Sequence, residues 1–137
     1  MIATRWLQST AVILAPVFLV ALLASLPALA VSLETSVQGS APYVTGGFGK
    51  DERMAMTRTL PDYNLKLEFA EGGRAYVAGA VVHIEGQGVV IDTPVNGPWL
   101  LAKLPAGSYA VTASLNGIQK SQTFRVDGGV TRAVFRW

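Results

Sequence analysis

The chain has 137 residues, half of them hydrophobic, and its eleven basic and nine acidic residues give a formal net charge of +2. It contains no cysteine and only one histidine, which excludes disulfide scaffolds, thiol nucleophiles and cysteine-ligated zinc sites. The basic residues form no cluster along the sequence. This argues against nucleic-acid binding, which requires a concentrated positive surface.

Residues 1–30 have the pattern of a secretory signal peptide. Arg5 precedes an uncharged apolar run over residues 11–24, and small residues end the segment at Ala28 and Ala30. The run is shorter than the roughly 20 apolar residues of a membrane-spanning helix, which favours cleavage after Ala30 over retention as an anchor. We therefore expect a periplasmic or secreted protein that has no membrane association after cleavage. A signal-anchored envelope protein is the alternative.

Two short segments precede the main domain. Residues 31–42 are small and polar without sustained periodicity, and they predict a flexible N-terminal lead. Residues 43–63 predict a glycine-rich loop and a short helix from Glu52 to about Leu60. Asp51 is the expected N-cap of this helix, because its carboxylate can accept hydrogen bonds from the free N–H groups of the first turn.

From residue 64 onward the hydrophobic period changes to two, which is typical of half-buried β-strands. About seven strands are predicted, over residues 65–69, 75–85, 89–93, 99–104, 108–115, 119–126 and 130–137. The Asn116-Gly117 pair is the strongest hairpin signal, since both positions accept the positive φ of a type I′ turn. The pattern predicts one all-β sandwich or barrel domain over residues 64–137.

The segment WLLAKLPAGSYAV, residues 99–111, resembles the carboxypeptidase regulatory-like domain. In that family a strand ends at Leu-Pro-Ala-Gly and the chain re-enters as x-Tyr-x-Val within a prealbumin-like (transthyretin-like) Greek-key sandwich. The resemblance covers residues 65–137. The segments GGFGKDE and FRW are also similar to a group of small, uncharacterised exported bacterial proteins that carry the domain. The resemblance implies a fold but no activity, because the module is appended to peptidases, adhesins and transporters alike.

The residues of this corner agree with the resemblance on physical grounds. Pro105 presets φ, and Gly107 is expected to take the strained position of the turn. Tyr109 is expected to pack inward while its hydroxyl reaches the backbone.

Residue patterns typical of catalysis are missing from the sequence. His83 is a lone histidine at an outward position, so it lacks partners for a metal site or a catalytic triad. Gly49-Lys50-Asp51 fails as a phosphate loop, because Val44 and Asp51 stand where that motif needs glycine and Ser or Thr. We therefore expect a protein that is not an enzyme and holds no cofactor or metal.

The candidate binding residues belong to the glycine-rich segment; they are Gly46, Gly47, Phe48, Gly49, Asp51 and Glu52. Three glycines in four positions cost backbone entropy on ordering, so packing, a helix cap or a partner must hold the segment in place. Phe48 and Met56 are expected to anchor the short helix on the sheet. The predicted function is a non-enzymatic periplasmic binding or scaffolding module whose partner is an envelope protein, a peptide or a glycan. A periplasmic hydrolase or transport-associated protein with an unrecognised site is the alternative.

Overall fold

A computed structural model describes residues 33, 35–38, 41–73 and 75–137, and within these ranges the chain forms ten strands and one α-helix. The strands are β1 Ser36–Gln38, β2 Ala41–Gly46, β3 Leu65–Glu71, β4 Ala75–Tyr76, β5 Val81–Gly86, β6 Val89–Pro94, β7 Trp99–Ala102, β8 Gly107–Leu115, β9 Ile118–Val126 and β10 Thr131–Arg136. Helix α1 covers Lys50–Thr59 and continues as a 3₁₀ turn over Leu60–Asp62. The signal peptide and its cleavage site after Ala30 lie outside the described residues. Within those residues, no helix is long and apolar enough to cross a membrane.

The strands form two packed sheets. Sheet A has the order β1-β2-β7-β3-β10, with β4 paired to the end of β3, and sheet B has the order β6-β5-β8-β9. Neighbouring strands are antiparallel except β3 and β10, which run parallel from Leu65 beside Thr131 to Ala70 beside Arg136. The predicted all-β sandwich is therefore confirmed.

The main core lies between the sheets and follows the alternation in the sequence. In β8, Tyr109, Val111 and Ala113 are buried, whereas Ser108 and Ala110 are exposed. At one end of this core four aromatic rings stack or meet edge to face; they are Phe69, Phe124, Phe135 and Trp137. Burial of these apolar side chains is the main stabilising contribution in a domain that has no disulfide.

A second, smaller core lies on the outer face of sheet A, where α1 covers β2 and β7. Met56 of the helix is fully buried against Val44, Trp99 and Leu101. The helix thus makes β7 inaccessible on both faces, and all four of its residues are buried. Such a strand shows no alternation in its sequence.

The N-terminal part differs from the sequence prediction. Residues 36–38 and 41–42 are strand where a flexible lead was expected, and residues 43–46 continue β2 where a loop was expected. Strand β2 pairs with β7 from Tyr43 beside Ala102 to Gly46 beside Trp99. Proline and glycine are rare inside strands, so Pro42 and Gly46 mask this strand in the sequence.

The strand predicted over residues 75–85 is two strands in different sheets. The chain leaves sheet A after Tyr76 and enters sheet B at Val81, with Gly79 at a φ of 84° between them. The N–H of Gly79 donates to the carbonyl of Val95 at 2.9 Å, which holds this crossing in place. Glycine is the residue that adopts such a φ without steric cost.

The predicted hairpin at Asn116-Gly117 is confirmed. The two residues have φ values of 50° and 78° and join β8 to β9. Gln87 and Gly88 repeat this geometry between β5 and β6, with φ values of 50° and 75°. Both turns have the positive φ pair of type I′, whose twist matches that of the flanking strands.

Candidate ligand-binding groove

Residues 47–49 connect β2 to α1, and the glycines of this segment have different roles. Gly47 has a φ of +89°, and a Cβ built on it would lie 3.2 Å from Cγ of Trp99 and 3.4 Å from Cγ of Arg53. Its backbone therefore lies against the indole, where a side chain would be crowded as well as strained by the positive φ. Gly49 has an ordinary extended conformation with φ of −99°, and a Cβ there would meet no atom within 4 Å.

The predicted N-cap at Asp51 is wrong. Gly49 is the N-cap, the helix begins at Lys50, and no side chain caps the first turn at that position. Glu52 is the carboxylate that accepts a hydrogen bond near the start of the helix: its Oε2 accepts from the N–H of Phe48 at 3.1 Å. The extended conformation of Gly49 moves the helix start forward, which leaves Asp51 inside the first turn and exposed.

The expectation for Phe48 is also wrong. Its side chain is 72% exposed, whereas Met56 is fully buried as expected. The turn that brings Gly47 against Trp99 directs Phe48 away from the sheet. Met56 therefore anchors α1 without Phe48.

Arg53 holds the loop in place, a role that no sequence pattern predicted. Its Nη1 donates to the carbonyls of Gly47 and Phe48, at 2.9 Å and 3.1 Å. Its guanidinium carbon lies 5.7 Å from the centre of the Tyr76 ring, within the range of a cation–π interaction. One arginine thus connects α1, the glycine-rich loop and β4.

Beside this loop, α1, β4 and the start of β7 line an open groove of about 420 Å³, named here the α1 groove. Its lining residues are Lys50, Arg53, Met54, Thr57, Arg58, Tyr76 and Trp99. Three of them are cations and none is a carboxylate. Within the described part of the chain, no carboxylate forms an ion pair with these three cations. The groove is therefore a positively charged hollow with aromatic and thioether walls.

Trp99 is the most buried of the residues that line the α1 groove. Its side chain is only 9% exposed, and Nζ of Lys66 lies 3.5 Å from the centre of its ring. Lys66 in turn pairs with Glu68 at 2.9 Å. The indole Nε1–H of Trp99 is buried, and in the described part of the chain it has no hydrogen-bond acceptor. Leaving such a donor unsatisfied costs on the order of 1–3 kcal/mol.

The structure brings the six predicted binding residues together at one turn, but they do not line the groove. Gly47 and Glu52 shape the turn, and Phe48 is exposed beside it. The lining residues Tyr76 and Trp99 come from strands distant in the sequence, so no local motif could have identified them. Their aromatic character and the spacing of cations along the helix were the available signals.

His83 lies on the outer face of sheet B. Its Nε2 is 3.5 Å from Oε2 of Glu85, and its Nδ1 is 3.7 Å from Oδ2 of Asp92. All three side chains are well exposed to solvent. Within the described ranges, the structure holds no group of three or more His, Cys, Asp or Glu side chains placed to bind a metal ion.

Comparison with known proteins finds no matching family model and no matching curated protein. The resemblance to the carboxypeptidase regulatory-like domain therefore stays a prediction. Among the described residues, the α1 groove combines positive charge without an ion-pair partner and, at its lining residue Trp99, a buried donor without an acceptor.

Proposed function

We propose that the protein is an exported, non-enzymatic binding module of the carboxypeptidase regulatory-like type, whose ligand occupies the α1 groove. The observation that carries this proposal is the set of three cations that line the groove without an ion-pair partner among the described residues. Trp99, which also lines the groove, has a buried indole N–H without an acceptor in that part of the chain. Native proteins rarely leave buried donors unsatisfied, and each exception calls for an explanation. A ligand that supplies an acceptor and negative charge explains both features.

The chemistry of the lining supports binding over catalysis. General acid–base and nucleophilic mechanisms need a base positioned beside a nucleophile. Among the described lining residues, Thr57 has the one aliphatic hydroxyl, and it donates to the carbonyl of Arg53 at 2.7 Å. The same residues include no histidine and no carboxylate.

Three observations support the prealbumin-like Greek-key type. Strands β3 and β5 to β10 divide into three strands of sheet A and four of sheet B, and the chain changes sheets between β6 and β7 and again between β7 and β8. At the second change, Gly107 has a φ of +149°. The hydroxyl of Tyr109 donates to the carbonyl of Pro105, as expected for the tyrosine of this corner.

Site-specific photo-cross-linking in the native host tests the binding role. A photoreactive side chain at Thr57, exposed in the α1 groove, should form a defined adduct. The matched control is the same side chain at Thr123, exposed on strand β9 of sheet B, which should form none. The absence of an adduct at Thr57, or equal labelling at both positions, would reject the groove as the ligand site.

Export is tested separately by the intact mass of the protein recovered from the cell envelope. Cleavage after Ala30 leaves a chain that starts at Val31. Full-length protein confined to membranes would instead support the signal-anchored alternative.

A further inference from the structure

We infer that the α1 groove binds an acidic peptide segment of a partner protein, in which a large apolar side chain stands beside the carboxylates. This inference rests on the proposed function and names the ligand class of the same site. It combines the charge of the groove, its hydrogen-bonding groups and its apolar walls.

The charge of the groove selects an anion. Lys50, Arg53 and Arg58 all line it, and no carboxylate of the described residues neutralises them. Arg53 uses Nη1 to hold two loop carbonyls, but a guanidinium carries five donors, so others remain for a ligand. Carboxylates are natural partners for such a set, since arginine binds them with paired hydrogen bonds.

The hydrogen-bonding groups of the groove select an acceptor. The indole N–H of Trp99 can only donate, as can the lysine and arginine head groups. Because the Trp99 nitrogen has no contact with solvent, a ligand reaches it only when the side chains that cover it move. A peptide offers carbonyl oxygens along its whole length and so can place an acceptor at this depth.

The exposed apolar residues that line the groove favour a ligand with an apolar side chain. Met54 is 45% exposed and Tyr76 is 53% exposed, and both line the groove beside the cations. Methionine adapts its shape to varied partners, and tyrosine is enriched at protein interfaces. A uronic-acid glycan would satisfy the cations but would leave Met54 without an apolar partner.

The shape of the site favours a peptide over an anionic membrane surface. The exposed Phe48 and the cations of α1 would suit a lipid headgroup layer. However, the indole N–H of Trp99 is buried, and a flat bilayer surface cannot deliver an acceptor to a buried donor. An extended chain that enters the hollow can.

The test is a titration of the isotope-labelled protein with an N-acetylated, C-amidated peptide Asp-Glu-Phe-Asp-Glu, followed by the indole N–H signals in NMR spectra. The signal of Trp99, assigned with Trp99→Phe, should shift as its donor gains an acceptor. Trp137 is an internal control, because its Nε1 already donates to the carbonyl of Ile118 at 2.9 Å. Its signal should not move.

Matched peptides and variants separate the contributions. The neutral peptide Asn-Gln-Phe-Asn-Gln and the peptide Asp-Glu-Ala-Asp-Glu should both bind at least about tenfold more weakly, since each lacks one of the two required groups. Trp99→Phe should weaken the acidic peptide by about tenfold and Arg58→Gln by about threefold. Lys120→Gln removes an exposed cation on β9, in the other sheet, and should leave binding unchanged.

The inference is overturned if the neutral peptide binds as tightly as the acidic one. It is also overturned if phosphatidylglycerol vesicles or an oligogalacturonate shift the Trp99 signal while the acidic peptide does not. If a Thr57 adduct forms but the acidic peptide leaves the Trp99 signal unchanged, the ligand class is rejected and the binding role of the groove is kept. When the Thr57 adduct is also absent, the proposed binding role of the groove fails with it.

Discussion

Gly47 lies where β2 leads into α1, and its backbone lies against the indole of Trp99. Gly49, two residues later, has a conformation open to any residue and free space around it. From composition alone, these glycines would all be expected to belong to one flexible segment. The geometry instead makes substitution unfavourable at Gly47 and leaves Gly49 open to other residues.

Substitution by serine at each position measures that difference. Gly47→Ser should lower the free energy of unfolding by about 1–3 kcal/mol, because the new side chain meets Trp99 at a positive φ. Gly49→Ser should raise it by a few tenths of a kcal/mol (~0.3), since serine is a favoured N-cap in the extended conformation found there. Chemical denaturation of both variants checks this; equal effects would show that the loop is not held against Trp99.

The two acidic residues of the first turn of α1 can be ranked in the same way. Glu52→Ala should cost about 0.5–1.5 kcal/mol, because it removes the acceptor for the N–H of Phe48 as well as a charge near the helix N-terminus. Asp51→Ala removes only the charge and should cost no more than about 0.5 kcal/mol. Glu52→Gln keeps an acceptor oxygen and serves as the control in thermal melts. A larger loss from Asp51→Ala than from Glu52→Ala would contradict the capping geometry.

At the scale of elements, the short connection between β7 and β8 takes the chain from sheet A to sheet B. Tyr109 is buried and its hydroxyl donates to the carbonyl of Pro105, four residues earlier. Gly107 passes beside the side chain of Gln87, in the turn between β5 and β6. The corner therefore couples two turns at the same end of sheet B.

Gly107→Ala tests that coupling. The added methyl group would overlap the Gln87 side chain and carries the strain of a φ of +149°, so we expect a loss of about 1–3 kcal/mol in unfolding free energy. Adding Gln87→Ala removes the overlap and should recover part of the lost unfolding free energy. The part caused by backbone strain should remain. A double-mutant cycle by denaturation measures this interaction. Strictly additive effects would show that the two turns are independent.

The same corner predicts a dependence of stability on pH. Burial raises the pKa of Tyr109 above its ordinary value of 10.0. Because its pKa is higher in the folded than in the unfolded state, the buried Tyr109 stabilises the fold fully below pH 10, where both states are neutral. This stabilisation is lost as the pH rises through the folded-state pKa, because the unfolded chain ionises first. Denaturation between pH 8 and about 11 should show a steeper loss for the parent than for Tyr109→Phe. Parallel curves would place the ionisation elsewhere.

Alternation and turn residues made the strands of sheet B predictable. Strands β5, β6 and β8 alternate because one face of sheet B meets solvent, and their hairpin turns carry glycine at positive φ. Strand β2 escaped prediction because Pro42 and Gly46 obscure it, whereas its neighbour β7 was predicted although both of its faces are covered. The groove escaped because it depends on Tyr76 and Trp99 meeting α1, a tertiary contact that no local pattern encodes.

At the scale of the whole molecule, side chains close the seam between the two sheets. Gln122 donates to the carbonyl of Val134 at 3.0 Å, and Thr131 donates to that of Arg125 at 3.1 Å. Trp137 adds a third bond, to the carbonyl of Ile118 at 2.9 Å. These bonds satisfy carbonyls along β9 and β10, the edge strands that would otherwise invite pairing with another chain. The sandwich achieves this closure without a disulfide.

The second core makes the segment before residue 64 part of the fold. Strand β2 covers one edge of β7, and Met56 buries the outer face of sheet A together with Val44 and Leu101. A large apolar side chain contributes about 1.5–3 kcal/mol when buried, and a domain is stable by only about 5–15 kcal/mol. Loss of this layer should therefore remove a large fraction of the stability.

Truncation tests whether the sandwich is independent of that layer. A chain of residues 31–137 retains both described cores and should unfold cooperatively at the parent temperature. A chain of residues 64–137 lacks β2 and α1, exposes Leu101 and an unpaired edge of β7, and should lose cooperative unfolding in calorimetry. Met56→Ala in the full chain is the graded control, with an expected cost of about 2–5 kcal/mol. If residues 64–137 melt like the parent, the helix and β2 are additions to a self-sufficient sandwich, and the α1 groove has been built onto its surface.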